Sequence, residues 1–187
     1  PIAAFFDMFY IGEGEVSYRK LLDVYKESRK NGDSRLEFLK KAAMIPGIYV
    51  PSLYEVTYKE NGTIESFLPK EAGIPERVEK QLVMEMTESV YPEKPLVPFI
   101  KATQDRVVLE IMRGCIRGCR FCQAGMIYRP VREKNVEHLK ELAYKMLKNT
   151  GHEEISLSSL SSSDYRSLEE LVTFLIDTFH GKGVNVS

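Results

Sequence analysis

The three cysteines of this chain lie within eight residues of one another and are its strongest chemical signal. They are Cys115, Cys119 and Cys122, in the run GCIRGCRFCQAG. Three thiolates separated by gaps of three and two residues can wrap one compact metal centre and leave a coordination position open for chemistry. With no cysteine elsewhere to pair with, the cluster indicates an intracellular metal site rather than a disulfide framework.

Glycines and basic residues surround the cysteines. Gly114, Gly118 and Gly125 permit the backbone angles and close approaches that a tight loop around a cluster needs. Between residues 113 and 134 there are six basic residues against one acidic residue. We expect this positive charge to favour thiolates, an anionic cluster and a cofactor that carries a carboxylate.

The spacing C-x3-C-x2-C, with Phe121 directly before the last cysteine, resembles that of the radical S-adenosylmethionine (SAM) enzymes. The resemblance implies that Cys115, Cys119 and Cys122 bind three irons of a 4Fe–4S cluster, and that SAM chelates the fourth iron. The reduced cluster would then cleave SAM to a 5′-deoxyadenosyl radical. Phe121 would shield the cluster and lie near the adenine of SAM.

The serine-rich run that follows the second predicted strand differs from many members of that family. Those members carry a Gly-Gly-Glu run that binds the SAM amino group, whereas this chain has ISLSSL over residues 155–160, followed by SSSDY. Hydroxyls or backbone carbonyls can accept the same hydrogen bonds, so Ser158 and Ser159 are candidate SAM contacts. We expect Ser163 or Asp164 to cap the next helix.

The same resemblance implies a reaction class and partners, by analogy alone. The reaction would be methyl or methylthio transfer, with RNA or a ribosomal component as the substrate and flavodoxin or ferredoxin as the electron donor. The alternative function is a non-catalytic module in which the thiolates hold zinc or a redox-sensing iron–sulfur centre. Zinc would need a fourth ligand, for which His138 is the nearest histidine.

The elements that position the cysteines alternate between strand and helix. The predicted order is strand, cysteine loop, helix, strand, helix and strand, with the regular elements at residues 107–112, 136–147, 155–157, 168–179 and 184–187. This order predicts an α/β fold with a parallel sheet. The cysteine loop then follows the first strand, where parallel sheets bind ligands. Residues 101–187 would form the start of a radical SAM-type (β/α) barrel.

The amino-terminal region carries a weaker resemblance. The apolar run at residues 2–11 and the GEGE turn at 12–15 look like the end of the Rossmann-like, cobalamin-type domain that precedes many radical SAM barrels. The resemblance implies that residues 1–32 close such a domain, and that cobalamin is a possible cofactor of the full-length protein. Together the segments most resemble an uncharacterised bacterial subgroup of these proteins.

A connector is predicted between the two regions, over residues 33–100. Ser34 is expected to cap a short helix, and Asn61-Gly62 is the turn of a β-hairpin. In the preceding segment, Tyr18, Leu22 and Tyr25 recur at helical spacing, which predicts a helix.

Composition limits the partners and the location. The net charge is −1, which produces no overall attraction to nucleic acid or membranes. Apolar runs are too short to span a bilayer, and no basic region precedes the first of them, so we expect a cytoplasmic protein without membrane partners. Because the chain starts at Pro1 and stops within a predicted strand, we expect an internal fragment, inactive by itself, of a longer protein.

Overall fold

The computed structural model describes residues 2–87, 91–100 and 102–187 and divides the chain into two units, Pro1–Val83 and Met84–Ser187. The helices and strands of the first unit are β1 (Phe9–Tyr10), α1 (Gly14–Asn31), α2 (Arg35–Ala43), β2 (Ile48–Tyr49), β3 (Tyr54–Tyr58) and β4 (Ile64–Pro69). Those of the second unit are β5 (Val107–Glu110), β6 (Met112–Arg113), α3 (Ala124–Ile127), β7 (Arg132–Glu133), α4 (Val136–Thr150), β8 (Glu154–Ser158), α5 (Leu168–Phe179) and β9 (Asn185–Val186).

Local signals in the first unit produce the structures that they predict. The Ser34 side chain accepts the Glu37 N–H at the start of α2, while the Glu37 carboxylate accepts the Ser34 N–H at 2.7 Å. Gly32 ends α1 in the left-handed conformation. Strands β3 and β4 pair antiparallel on either side of the predicted Asn61-Gly62 turn. The predicted cap and hairpin are therefore confirmed.

Helix α1 buries two serines and leaves several of its apolar residues exposed. Tyr18, Leu22 and Tyr25 are exposed, whereas Ser17 and Ser28 are buried. The Ser17 hydroxyl donates to the Pro46 carbonyl at 2.9 Å, so a small polar side chain brings this helix close to the chain that follows α2. The predicted helix is confirmed, and Leu21 and Val24 pack against the core of this unit.

The turn at residues 12–15 is held by backbone pairing. Gly12 forms an isolated parallel bridge with Gln81, whose backbone N–H donates to the Ile11 carbonyl at 3.0 Å. Gly12 has a φ of +122°, and a Cβ there would lie 2.2 Å from the Gln81 oxygen. Close packing of the backbone thus requires glycine at this position. Strand β1 is short and pairs antiparallel with β2.

Substituting Gly12 with alanine should lower the free energy of unfolding of the full-length protein by at least about 2 kcal/mol, since backbone atoms would have to move. Gly14→Ala is the matched control, because its Cβ would meet only the Tyr18 Cβ, at 3.8 Å. Urea denaturation followed by circular dichroism measures both variants. Equal stability of the two would contradict this account of the turn.

The second unit is built on a parallel sheet with strand order β5-β8-β9. Val107 pairs with Ile155, and Ile155 pairs with Val186. Helices α4 and α5 cover the sheet with buried residues, among them Leu139, Leu142, Leu171 and Leu175. The mixed α/β fold with a parallel sheet is confirmed, and it is consistent with a radical SAM-type fold. In the ranges described above, no helix is both long and apolar enough to cross a membrane.

Candidate metal and cofactor site

The cysteine loop is closed at its base by a small antiparallel ladder that sequence patterns do not reveal. Strand β6 enters the loop, β7 leaves it, and Met112 pairs with Glu133 and Arg113 with Arg132. The backbone N–H of Lys134 then donates to the Ile111 carbonyl at 2.9 Å, which joins the end of the loop to the strand before it. The three cysteines are thus displayed on a loop with both ends fixed.

Gly114 packs closely against the backbone of another part of the chain at the entrance of the loop. Its φ is +88°, and a Cβ there would lie 2.8 Å from the carbonyl oxygens of both Tyr128 and Pro130. Gly125 lies at the far side, where a Cβ would be 3.9 Å from the Cys122 sulfur. Glycine therefore allows the backbone to pack closely at the entrance, whereas a side chain at Gly125 would make only an ordinary contact with the sulfur.

The cysteines are free thiols. Cys119 is exposed, and Cys115 and Cys122 are partly exposed. The Cys115 sulfur accepts the Arg117 N–H at 3.4 Å, and the Cys122 N–H donates to the Cys119 carbonyl at 3.0 Å. Phe121 is 92% exposed. The predicted ligands and the predicted aromatic neighbour are therefore all at least partly accessible to solvent.

The donor set of the site is three free thiols. In the part of the chain that the structure describes, no three histidine, cysteine, aspartate or glutamate side chains converge closely enough to hold one metal ion. In a 4Fe–4S cluster each thiolate binds a different iron, so the sulfurs stand apart. Three accessible thiols on a loop with glycines fit the cluster.

The serine-rich segment lies beside the cysteine loop because β5 and β8 are neighbours. Glu110 at the end of β5 pairs with Ser158 at the end of β8, and the Ser158 carbonyl accepts the Ile111 N–H at 3.0 Å. The Ser159 hydroxyl lies 2.9 Å from that of Ser162 and accepts the Ser161 N–H at 3.2 Å. The carboxyl ends of two parallel strands thus bring Ser158 and Ser159 to the edge that carries the cysteine loop.

Asp164 does not cap the next helix, so that expectation is wrong. Helix α5 begins at Leu168, beyond the short 3-10 turn Ser162–Asp164, and Ser163 does not reach it either. The Asp164 carboxylate instead accepts two hydrogen bonds from the Arg117 guanidinium, with Nε to Oδ2 at 2.7 Å. These bonds and the Ser161 hydroxyl hold the pKa of Asp164 below its ordinary value, and the carboxylate raises the pKa of Arg117.

Other basic residues near the loop are also engaged, so the positive field is smaller than their number suggests. Arg113 donates to both Glu110 oxygens, at 2.8 and 3.0 Å. The buried Lys134 ammonium lies 3.9 Å from a Glu110 oxygen and 3.9 Å from the centre of the Tyr91 ring. Arg132 donates to the Pro130 carbonyl at 3.0 Å. Glu110 is not among the residues predicted for the site, although a carboxylate inside an apolar strand indicates that a basic partner lies nearby.

Tyr165 anchors the serine-rich segment to the base of the cysteine loop. Its ring is buried, and its hydroxyl donates to the Lys134 carbonyl at 2.8 Å. Burial raises the pKa of Tyr165, so the hydroxyl keeps the proton that it donates. The segment is therefore attached to the chain directly after β7.

Two parts of the chain match models of known protein families. A family model described as the radical SAM superfamily matches residues 109–186, and one described as radical SAM proteins, N-terminal, matches residues 1–51. Residues 109–186 are therefore similar to the core of radical SAM proteins, and residues 1–51 to their N-terminal part.

One curated relative is much longer than this chain, and its name assigns no activity. An uncharacterized protein of Methanocaldococcus jannaschii is 30% identical over 187 residues, which are 100% of this chain and 33% of that protein. The chain thus spans about a third of the length of this curated relative. A search of solved structures found none that matches.

Proposed function

We propose that the full-length protein is a radical SAM enzyme in which Cys115, Cys119 and Cys122 hold a 4Fe–4S cluster. One observation carries the proposal: three free cysteines at C-x3-C-x2-C spacing occupy the loop that follows the first parallel strand of the matched core domain. Three thiolates leave one iron of a cube without a protein ligand, which is the position that SAM would take.

The other residues of this edge would bind and orient SAM. Ser158 and Ser159 are the proposed contacts, because the pairing of β5 with β8 brings them to the edge of the cysteine loop. The exposed Phe121 ring would cover the cluster and face the adenine. When bound, the reduced cluster supplies the electron that splits the sulfonium of SAM and starts radical chemistry.

The finer parts of the function rest on analogy with the superfamily. We propose methyl or methylthio transfer as the reaction class, RNA or a ribosomal component as the substrate, and a flavodoxin or ferredoxin as the electron donor. Cobalamin would belong to a part of the full-length protein that precedes residue 1. Residues 1–32 would then be the end of that domain, 33–100 the connector and 101–187 the start of the barrel.

Anaerobic reconstitution of the full-length protein separates this function from a zinc module. The enzyme should bind about four irons per chain and absorb light at about 400 nm. With dithionite and SAM it should release 5′-deoxyadenosine and methionine. A parallel reaction without dithionite is the control, because cleavage needs an electron. Binding of a single zinc with no iron would contradict the proposal and support the non-catalytic module.

A further inference from the structure

The ion pair between Arg117 and Asp164 joins two loops that are 47 residues apart in the sequence. Arg117 lies between the first two cysteines, and Asp164 ends the 3-10 turn of the serine-rich segment. The guanidinium uses two of its nitrogens on the two carboxylate oxygens, which fixes orientation as well as distance. The pair therefore spans from the predicted cluster ligands to the predicted SAM contacts.

Both ends of this pair are held by further contacts. The Asp164 side chain is 8% exposed and also accepts the Ser161 hydroxyl at 2.7 Å. The next residue, Tyr165, is the buried anchor bonded to the Lys134 carbonyl. At the other end, the Arg117 N–H donates to the Cys115 sulfur. A displacement of Asp164 would thus be transmitted through Arg117 to the first cysteine.

Arg113 shows what distinguishes this pair from an ordinary surface interaction. It binds Glu110, three residues away in the sequence, so that contact stabilises the entrance of the loop and connects no distant segment. The Arg117–Asp164 pair joins the loop after β5 to the loop after β8. At this edge of a parallel sheet, adjacent loops together form the ligand site.

We infer that Arg117 and Asp164 are a positioning pair that fixes the cysteine loop against the serine-rich segment and thereby sets the open corner of the cluster toward SAM. The inference rests on the proposed function. The pair holds the ligand loop in register with the loop that receives SAM, and touches neither the cluster nor the reacting atoms. It also gives a role to two residues of the SSSD run, Ser161 and Asp164.

The test uses two substitutions that alter the pair in different ways, Asp164→Asn and Arg117→Lys, together with the exchanged pair R117D/D164R, all in the full-length protein. Asparagine removes the charge, and lysine keeps the charge but loses the planar fork. Arg166→Ala is the matched control, since Arg166 lies two residues from Asp164, its side chain is 89% exposed, and its ion pair with Glu133, at 3.8 Å, is a long surface contact of small energy.

Two measurements decide the outcome. In the metal-free protein, amide hydrogen exchange across residues 114–122 should become about tenfold faster in Asp164→Asn, because charge-assisted bonds to the loop are lost. After reconstitution, the Kd for SAM should rise about tenfold, which is the size of effect seen when a group that orients a metal ligand is removed. The iron content should stay within about twofold of wild type. The exchanged pair should recover part of both effects.

If the pair positions the loop, the exchange rate and the Kd for SAM both rise in Asp164→Asn and in Arg117→Lys. Neither quantity changes in Arg166→Ala. Unchanged exchange, or faster exchange with unchanged SAM affinity, would overturn the inference while leaving the proposed function intact. A wild-type protein that never holds iron would overturn the proposed function, and the inference would fall with it. Failure of the inference would therefore be seen in the variants, and failure of the proposed function in the wild-type protein.

Discussion

Replacing Cys119 with serine should reduce the iron of the reconstituted full-length protein from about four atoms per chain to less than about a tenth of that amount. A serine hydroxyl is a poor ligand for iron because it does not ionise in the pH range where a thiol forms a thiolate. Cys119 is exposed, so the substitution removes little packing. The loss of iron can then be attributed to the loss of a ligand, and is measured by iron analysis and absorbance.

Arg120→Ser is the matched control for this variant. Arg120 is the exposed neighbour of Cys119 in the same loop, so the control introduces the same residue one position away without removing a sulfur. We expect it to keep wild-type iron content. Full iron in Cys119→Ser would show that this ligand assignment is wrong, and equal losses in both variants would indicate a general disturbance of the loop.

Substituting Gly114 with alanine should also abolish cluster assembly, for a reason of backbone geometry. The positive φ disfavours any side chain, and the added Cβ would meet two carbonyl oxygens at 2.8 Å, close to the β6–β7 ladder. Strain and overlap together should cost about 3 kcal/mol or more. Iron content after reconstitution and the urea unfolding midpoint measure the effect.

Gly118→Ala separates conformational strain from overlap. Gly118 has a φ of +63°, but a Cβ there would approach only the flexible end of the Arg129 side chain, at 3.7 Å. This variant should lose about 1 kcal/mol and retain most of its iron. If Gly118→Ala lost as much iron as Gly114→Ala, the close approach at the loop entrance would not be the deciding feature.

Local features of the fold could be predicted from the sequence because short-range interactions produce them. Asn135 accepts the N–H groups of Glu137 and His138 at the start of α4, and Gly151 ends that helix in the left-handed conformation. The apolar runs before and after α4 predict the parallel strands β5 and β8, which the structure pairs. Hydrophobic periodicity, helix caps and helix-ending residues are enough to predict these elements.

Features that depend on distant partners could not be predicted. Asp164 precedes a helix and has the residue type of a cap, yet its partner is Arg117, a contact that exists only once β5 and β8 are paired. The two-residue strands β6 and β7 are too short to have a pattern. The exposed side of α1 is likewise decided by Ser17, whose hydrogen bonds favour a close approach over the burial of Tyr18.

The central claim is that three thiolates hold a cluster whose remaining iron is open to SAM. Electron–nuclear double resonance of the reduced, reconstituted full-length protein tests it directly, with SAM labelled by ¹⁷O in the carboxylate and ¹⁵N in the amino group. The account predicts hyperfine coupling from both labels, and none when Cys119→Ser is treated identically. A wild-type cluster that shows no coupling to either label, because a fourth protein group occupies the iron, would contradict it.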